Sequence, residues 1–170
     1  MINPLVGIIM GSDSDLEVMS QAAKTLDEFG VANEVRVVSA HRTPDEMAEY
    51  ARGAAERGLK VIIAGAGGSA HLPGMTASET ALPVIAIPIR GEDSGHEAFW
   101  SNIKMPSGVP LATMPENGSK NGALLAVRIL ALQDPELAQK YTDFAKKQHD
   151  AVVEIDAAIQ SKGWESILNT

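Results

Sequence analysis

Short apolar runs of strand length alternate with longer segments of mixed polarity along most of the chain. PLVGIIM (Pro4–Met10) is continuously apolar and stops at Gly11, where serines and aspartates take over. This predicts a strand, a turn and a helix from about Ser14 to Phe29 that Gly30 closes. ANEVRVVS reads as a second strand. Thr43-Pro44-Asp45-Glu46 then reads as a helix start, with Thr43 as N-cap, Pro44 where a missing N–H costs nothing, and Glu46 completing a capping box. Gly58 is expected to close that helix. KVIIAG is a third strand, followed by a Gly-rich segment and a short helix near Pro73 to Glu79. LPVIAIPI is a fourth strand, a short helix carries Phe99 and Trp100, VPLATM is a fifth strand, and a helix follows from Lys120. The stretches Gly91–Gly95 and Pro115–Lys120 read as loops.

Strands rich in Val, Ile and Leu that alternate with helices belong to parallel sheets covered on both faces. The expected fold is therefore a three-layer α/β arrangement of the flavodoxin-like kind. It has a parallel sheet of about five strands, helices on both faces and a C-terminal helix, within a single domain over 1–170. Asp134-Pro135 opens that last helix, which runs to about Lys162 and carries Leu137, Tyr141, Phe144, Val152, Ile155 and Ile159 at three- and four-residue steps. Such a stripe needs a surface to pack on, either its own domain or another subunit.

Composition narrows the function. Hydrophobic residues at 45% and charged residues at 21% of 170 describe an ordinary globular chain. A formal charge of −8 argues against a nucleic-acid partner, which calls for a basic patch. The absence of cysteine excludes disulfides, thiolate nucleophiles and Cys-ligated zinc. The N-terminal segment lacks the basic region and apolar length of a signal peptide or membrane span, so no membrane partner and a cytoplasmic location are expected.

Ligands of open parallel sheets bind beyond the carboxyl ends of the strands, near the point where strand order reverses. The loops there are GSDSD, SAHRTP, AGAGGSAHLPG, PIRGEDSG and MPENGS, and nearly every unusual residue of the chain falls in them. In GSDSD, hydroxyls just ahead of a helix suit an anion such as phosphate, although Ser12, Asp13 or Ser14 could equally serve only as helix caps. Asp15 adds a carboxylate suited to ribose hydroxyls. AGAGGSAHLPG has the G-x-G-x-x-A form at Gly65, Gly67 and Ala70, but it follows the third strand and no acidic residue ends the fourth. That mismatch weighs against a nicotinamide cofactor. Of the four histidines, His149 sits among charged helix residues and His96 lacks the partner of H-E-x-x-H, whereas His41 and His71 lie on the ligand-binding edge. Arg42 can grip an anion with its forked donors while His41 moves a proton near neutral pH.

GSDSD, SAHRTP and AGAGGSAHLPGM in this order closely resemble the N5-carboxyaminoimidazole ribonucleotide mutases, class I of the PurE family. The resemblance implies an isomerase of purine biosynthesis that needs no cofactor, metal or nucleoside triphosphate and moves a carboxylate from an exocyclic amine to a ring carbon. By the same resemblance His41 is the general acid–base, with His71 as the second histidine. Ser12, Ser14, Asp15, Ser39, Arg42, Gly67, Gly68 and Ser69 contact a small-molecule ribonucleotide, and the C-terminal helix joins neighbouring subunits of a homo-octamer. RGEDSGHEAFWSNIKMPSG and MPENGSKNGALL lean instead toward class II, the carboxylases that use free carbon dioxide, while Arg42 and His71 have the class I identity. The mutase is favoured, with the carboxylase as the alternative. A non-catalytic nucleotide-binding module on the same fold is the third reading.

Overall fold

In a computed structural model, which describes residues 3–91 and 95–168, the run after Pro4 forms β1 (Val6–Met10), every residue of it buried. One tight 3-10 turn (Asp13–Asp15) precedes α1 (Leu16–Phe29), which ends at Gly30 in the left-handed region with φ 73°. β2 (Asn33–Val37), α2 (Pro44–Gly53), β3 (Val61–Gly67) and α3 (His71–Glu79) follow. Next come β4 (Val84–Ile89), α4 (Glu97–Ile103), β5 (Ala112–Thr113) and α5 (Ser119–Leu130).

Several boundaries differ from the expectation; β2 ends at Val37, β3 runs on to Gly67 and α5 begins at Ser119, inside the stretch expected as a loop, and four others have a local reason. α1 begins after Asp15 because the preceding residues wind more tightly. α2 ends at Gly53, and irregular turns carry the chain to Gly58, whose φ is 98°. α3 starts at His71 rather than Pro73, because a proline in the first helical turn gives up an N–H that has no intrahelical acceptor. The fifth strand shrinks to two residues: Pro110 has no N–H to donate, and the Val109 amide turns back to the Pro106 carbonyl at 3.2 Å. The expected capping box is also absent. Thr43 is the N-cap of α2, but its hydroxyl makes no cap bond to the helix. Of the loop expected over Gly91–Gly95, residues 92–94 lie outside the described residues.

The five strands are all parallel, in the order β2-β1-β3-β4-β5. Met10 pairs with Val37 on one side and Gly65 on the other, so the loops after β1 and β2 leave the sheet edge at one level, and β3 runs on two residues to Gly67 before its loop begins. α1 and α5 pack together on one face, and α2, α3 and α4 cover the other. On the second face Ile9, Ile62 and Ala64 meet Met47, Tyr50, Leu72 and Ala98 in one buried cluster. On the first, glycines admit the helices closely. A methyl group at Gly65 would collide with Met19, and one at Gly122 would come within 2.7 Å of Ile87 Cδ1. The Ser119 hydroxyl donates to the Val18 carbonyl and so ties α5 to α1.

Contacts divide the chain into two compact units, Met1–Leu130 and Ala131–Thr170. The second consists of α6 (Pro135–Lys162) and the short α7 (Glu165–Leu168). Asp134 Oδ1 accepts the Leu137 amide at 3.0 Å, which together with Pro135 defines the start of α6 as expected. Its Val152, Val153 and Ile155 are 67%, 52% and 50% exposed.

Gly7 in β1 faces the Tyr50 hydroxyl so closely that a Cβ there would overlap it. Alanine gains roughly 0.5–1 kcal/mol over glycine from backbone entropy, but overpacking costs about 1–3 kcal/mol. Gly7→Ala is therefore expected to destabilise the protein in urea titration, and adding Tyr50→Phe, which removes the overlapping oxygen, is expected to restore part of the loss. A neutral or stabilising Gly7→Ala would show that α2 can shift to make room.

Candidate active site

Three loops from neighbouring strands converge at the carboxyl edge of the sheet. The first, after β1, places Ser12 at the start of the 3-10 turn. Its Oγ accepts the Ser14 amide at 3.4 Å and donates to Asp13 Oδ1 at 3.1 Å. Asp15 closes the turn and is buried, 8% exposed. Burial raises its carboxyl above the ordinary value. The backbone N–H groups of Ser12 and Gly11 and the charge of Arg42 oppose that rise, while Asp13 adds to it.

The second loop, Ser39 to Thr43, holds itself closed. The Ser39 amide donates to Thr43 Oγ1 at 2.8 Å, that hydroxyl donates to the Ser39 carbonyl at 3.2 Å, and the Thr43 amide donates to the same carbonyl at 3.0 Å. Ser39 Oγ accepts both the backbone N–H and Nε–H of Arg42, each at 3.3 Å. Arg42 Nη2 reaches across to donate to the Gly11 carbonyl at 2.6 Å, which locks the first two loops together.

The third loop leaves β3 through Gly67 and Gly68. Gly68 has φ 57°, and Ala70 also lies in the left-handed region, at φ 42°. A left-handed alanine is uncommon and concentrates where structure is set by function. It directs the chain so that His71 opens α3 facing His41. His41 Nε2 and His71 Nδ1 stand 2.7 Å apart with their rings at 79°. One nitrogen must donate and the other accept, so the pair shares a single proton on the line between them.

A cavity of about 410 Å³ lies over this junction, in the size range of small-ligand sites. Gly11, Ser12, Ser14, Asp15, Ser39, His41, Arg42, Gly67 and His71 line it, with Ala40, Ala66, Ala70 and Leu72 as its apolar wall. Of the residues expected at the site, Gly68 and Ser69 do not line the cavity; they sit exposed at the tip of the turn. His149 is an exposed partner of Asp150. His96 contacts Glu116 at 2.9 Å, beside an Arg90–Glu116 ion pair of 3.6 Å, outside the cavity. Sequence reasoning missed the Gly11 carbonyl, the Thr43 hydroxyl and Asn102. The last, buried in α4, donates to the Ala98 carbonyl at 2.6 Å and the Ala70 carbonyl at 3.4 Å behind His71. An amide side chain in the mainly aromatic and apolar stretch AFWSNI was its only signal.

The arrangement offers an anion grip beside a proton-transfer pair, walled by small residues. The family model described as AIR carboxylase matches residues 5–151. The N5-carboxyaminoimidazole ribonucleotide mutase of Thermotoga maritima is 51% identical over 167 residues, covering 98% of each chain. The phosphoribosylaminoimidazole carboxylase of Saccharomyces cerevisiae is 52% identical over 169 residues, which are 99% of this chain and 30% of that protein. The crystal structure of Treponema denticola PurE superposes with a TM-score of 0.84 at 32% identity, covering 92% of this chain and 98% of that one.

The electrostatics of Asp15 predict a pH-dependent stability. A carboxyl whose folded pKa is raised binds more protons folded than unfolded, so its favourable contribution is complete below the unfolded value and is lost as pH rises through the folded value. At neutral pH the buried charge is thus a net cost. Asp15→Asn is expected to raise Tm at pH 7 and to lose that advantage as pH falls below the ordinary Asp value of 3.8. An equal or lower Tm at pH 7 would mean that the backbone N–H groups and Arg42 outweigh desolvation.

Proposed function

The chain belongs to the AIR carboxylase family, and from that premise we propose how it acts. It is an isomerase of de novo purine biosynthesis that converts N5-carboxyaminoimidazole ribonucleotide to 4-carboxy-5-aminoimidazole ribonucleotide. Near full-length identity to a bacterial mutase supports the reaction, and the 2.7 Å contact of His41 with His71 inside the cavity supports the residues that carry it.

Arg42, Ser12, Ser14 and Ser39 hold the phosphate end of the substrate, and Asp15 accepts hydrogen bonds from the ribose hydroxyls. His41 gives a proton to the exocyclic nitrogen of the carbamate. The C–N bond breaks, and carbon dioxide and aminoimidazole ribonucleotide result. The ring is then an enamine-like nucleophile. It attacks carbon dioxide through the neighbouring ring carbon, and the new carboxylate appears on a carbon that still bears its hydrogen. His41 removes that proton, and the ring regains aromaticity. One proton leaves the histidine and one returns, so the cycle balances. His71 sets which nitrogen of His41 carries the proton at each stage. Gly67 lies beside the migrating carboxylate, and the small cavity wall keeps carbon dioxide near the carbon that captures it.

The exposed apolar residues of α6 support a second part of the proposal, that this helix packs on neighbouring subunits of a homo-octamer. Among the described residues no helix is long and apolar enough to cross a membrane, and cytoplasmic residence belongs to the same reading.

His41→Asn is expected to lower turnover by roughly 10²–10⁴-fold, the usual worth of a positioned acid–base, while ribonucleotide binding by calorimetry changes little. Full activity would remove His41 from the mechanism. Wild-type protein given the carbamate substrate with labelled carbon dioxide in solution is expected to form product without label. Product only from aminoimidazole ribonucleotide plus carbon dioxide would instead make the chain a carboxylase, like the named activity of the yeast relative. Sedimentation equilibrium is expected to give eight times the 17.9 kDa chain mass; a monomer would leave the α6 stripe unexplained.

A further inference from the structure

The residue between the anion grip and α2 has abandoned its ordinary local role. An N-cap threonine normally accepts an amide from the first helical turn, worth about 1 kcal/mol, and the sequence T-P-D-E supplies everything that motif needs. Thr43 nevertheless directs its hydroxyl away from α2 and toward Ser39, where it accepts the amide at 2.8 Å and donates to the carbonyl at 3.2 Å. A hydroxyl has one donor and two acceptor sites, so it can serve both backbone groups of Ser39 at once. Local rules broken in this way tend to mark functional positions.

We infer that Thr43 is a positioning residue whose hydroxyl sets His41 against His71. Three of its contacts with Ser39, counting its own amide at 3.0 Å, close the five-residue loop into one rigid turn with His41 at its centre. The pinned loop ends fix where the His41 backbone stands, and the bond shared with His71 then orients the ring. Ser39, fixed by the same hydroxyl, presents its own Oγ to Arg42 at 3.3 Å. One side chain that touches neither substrate nor proton thereby aligns the residue that moves the proton and the residue that holds the anion. The inference rests on the proposed function above, but its structural part does not depend on the substrate.

Thr43→Val keeps the shape and removes the hydroxyl; Thr43→Ser keeps the hydroxyl. Crystal structures of both variants test the positioning role directly. In Thr43→Val the His41–His71 contact is expected to open beyond hydrogen-bonding distance, and in Thr43→Ser to remain near 2.7 Å. Turnover is expected to fall by about 10²-fold in Thr43→Val, the usual cost of a misplacement of order 1 Å, with KM rising less than kcat falls. Thr43→Ser is expected to recover kcat to within about threefold, since the same hydrogen bonds are available to it. An intact histidine contact in Thr43→Val overturns the inference. So does equal loss of folding and activity in both variants, which would make Thr43 a stability residue only. If wild-type protein turned over neither ribonucleotide, the proposed function would fail while the crystallographic comparison still decided the role of Thr43.

Discussion

The right-handed sense of parallel crossovers governs where this molecule can bind anything. From β1 the chain steps outward to β2, and right-handedness sends α1 to one face of the sheet. From β2 it steps back past β1 to β3 and then onward to β4 and β5, so α2, α3 and α4 take the opposite face. Loops after β1 and β3 therefore diverge, and a gap opens above this adjacent pair that neither helix layer fills. The gap is the cavity over Gly11, His41 and His71. Register shapes the gap, because Met10 and Val37 end their strands side by side while β3 runs two residues past Gly65 before it releases its loop.

Within the gap, main-chain groups do most of the positioning. Ser39 is held by its own amide and carbonyl, the first and second loops are joined through the Gly11 carbonyl, and His71 is aimed by the left-handed backbone of Ala70. Each of these anchors has a backbone group at one end, and a backbone group moves only if the sheet edge moves, which gives the histidine pair a rigid base. Rigid placement has a thermodynamic counterpart in Asp15. Its burial raises the carboxyl, and opposing N–H groups only moderate the rise. A group kept charged at a cost to stability is characteristic of binding sites rather than of cores.

Much of this was legible in the chain itself, and the failures share one cause. Continuous apolar runs marked β1, β3 and β4, β2 showed itself by its β-branched Val35 and Val37 between polar residues, and the Gly, Ser, Asp and His that follow the strands marked the edge on which ligands are expected to bind. Gly30 and Asp134 acted as their chemistry predicts because a helix end is a local matter. Thr43 misled because the capping box is a local pattern, and a competing bond four residues upstream is invisible to it. VPLATM misled because apolar periodicity overlooks the missing N–H of Pro110. Gly68 and Ser69 look like cavity residues from their motif, yet the left-handed turn carries them outward past Gly67. Strand order and the fate of the α6 stripe depend on contacts distant in sequence, which no run of residues encodes.

The bonds of Arg42 show how folding can organise a site in advance of any ligand. A guanidinium has five N–H donors in a fixed fork. Ser39 Oγ and the Gly11 carbonyl engage Nε and Nη2 and fix the plane of the group from below. Donors on the same plane remain for a ligand oxygen. The phosphate of the proposed substrate would thus meet a cation already oriented, the entropy of ordering a long side chain having been spent in folding rather than in binding. A lysine would deliver the same charge from a flexible stem, with a compact ammonium unable to hold two loops and face an anion in one plane. The arginine is therefore a structural bridge, and in the proposed function the bridge is what makes the ligand grip rigid.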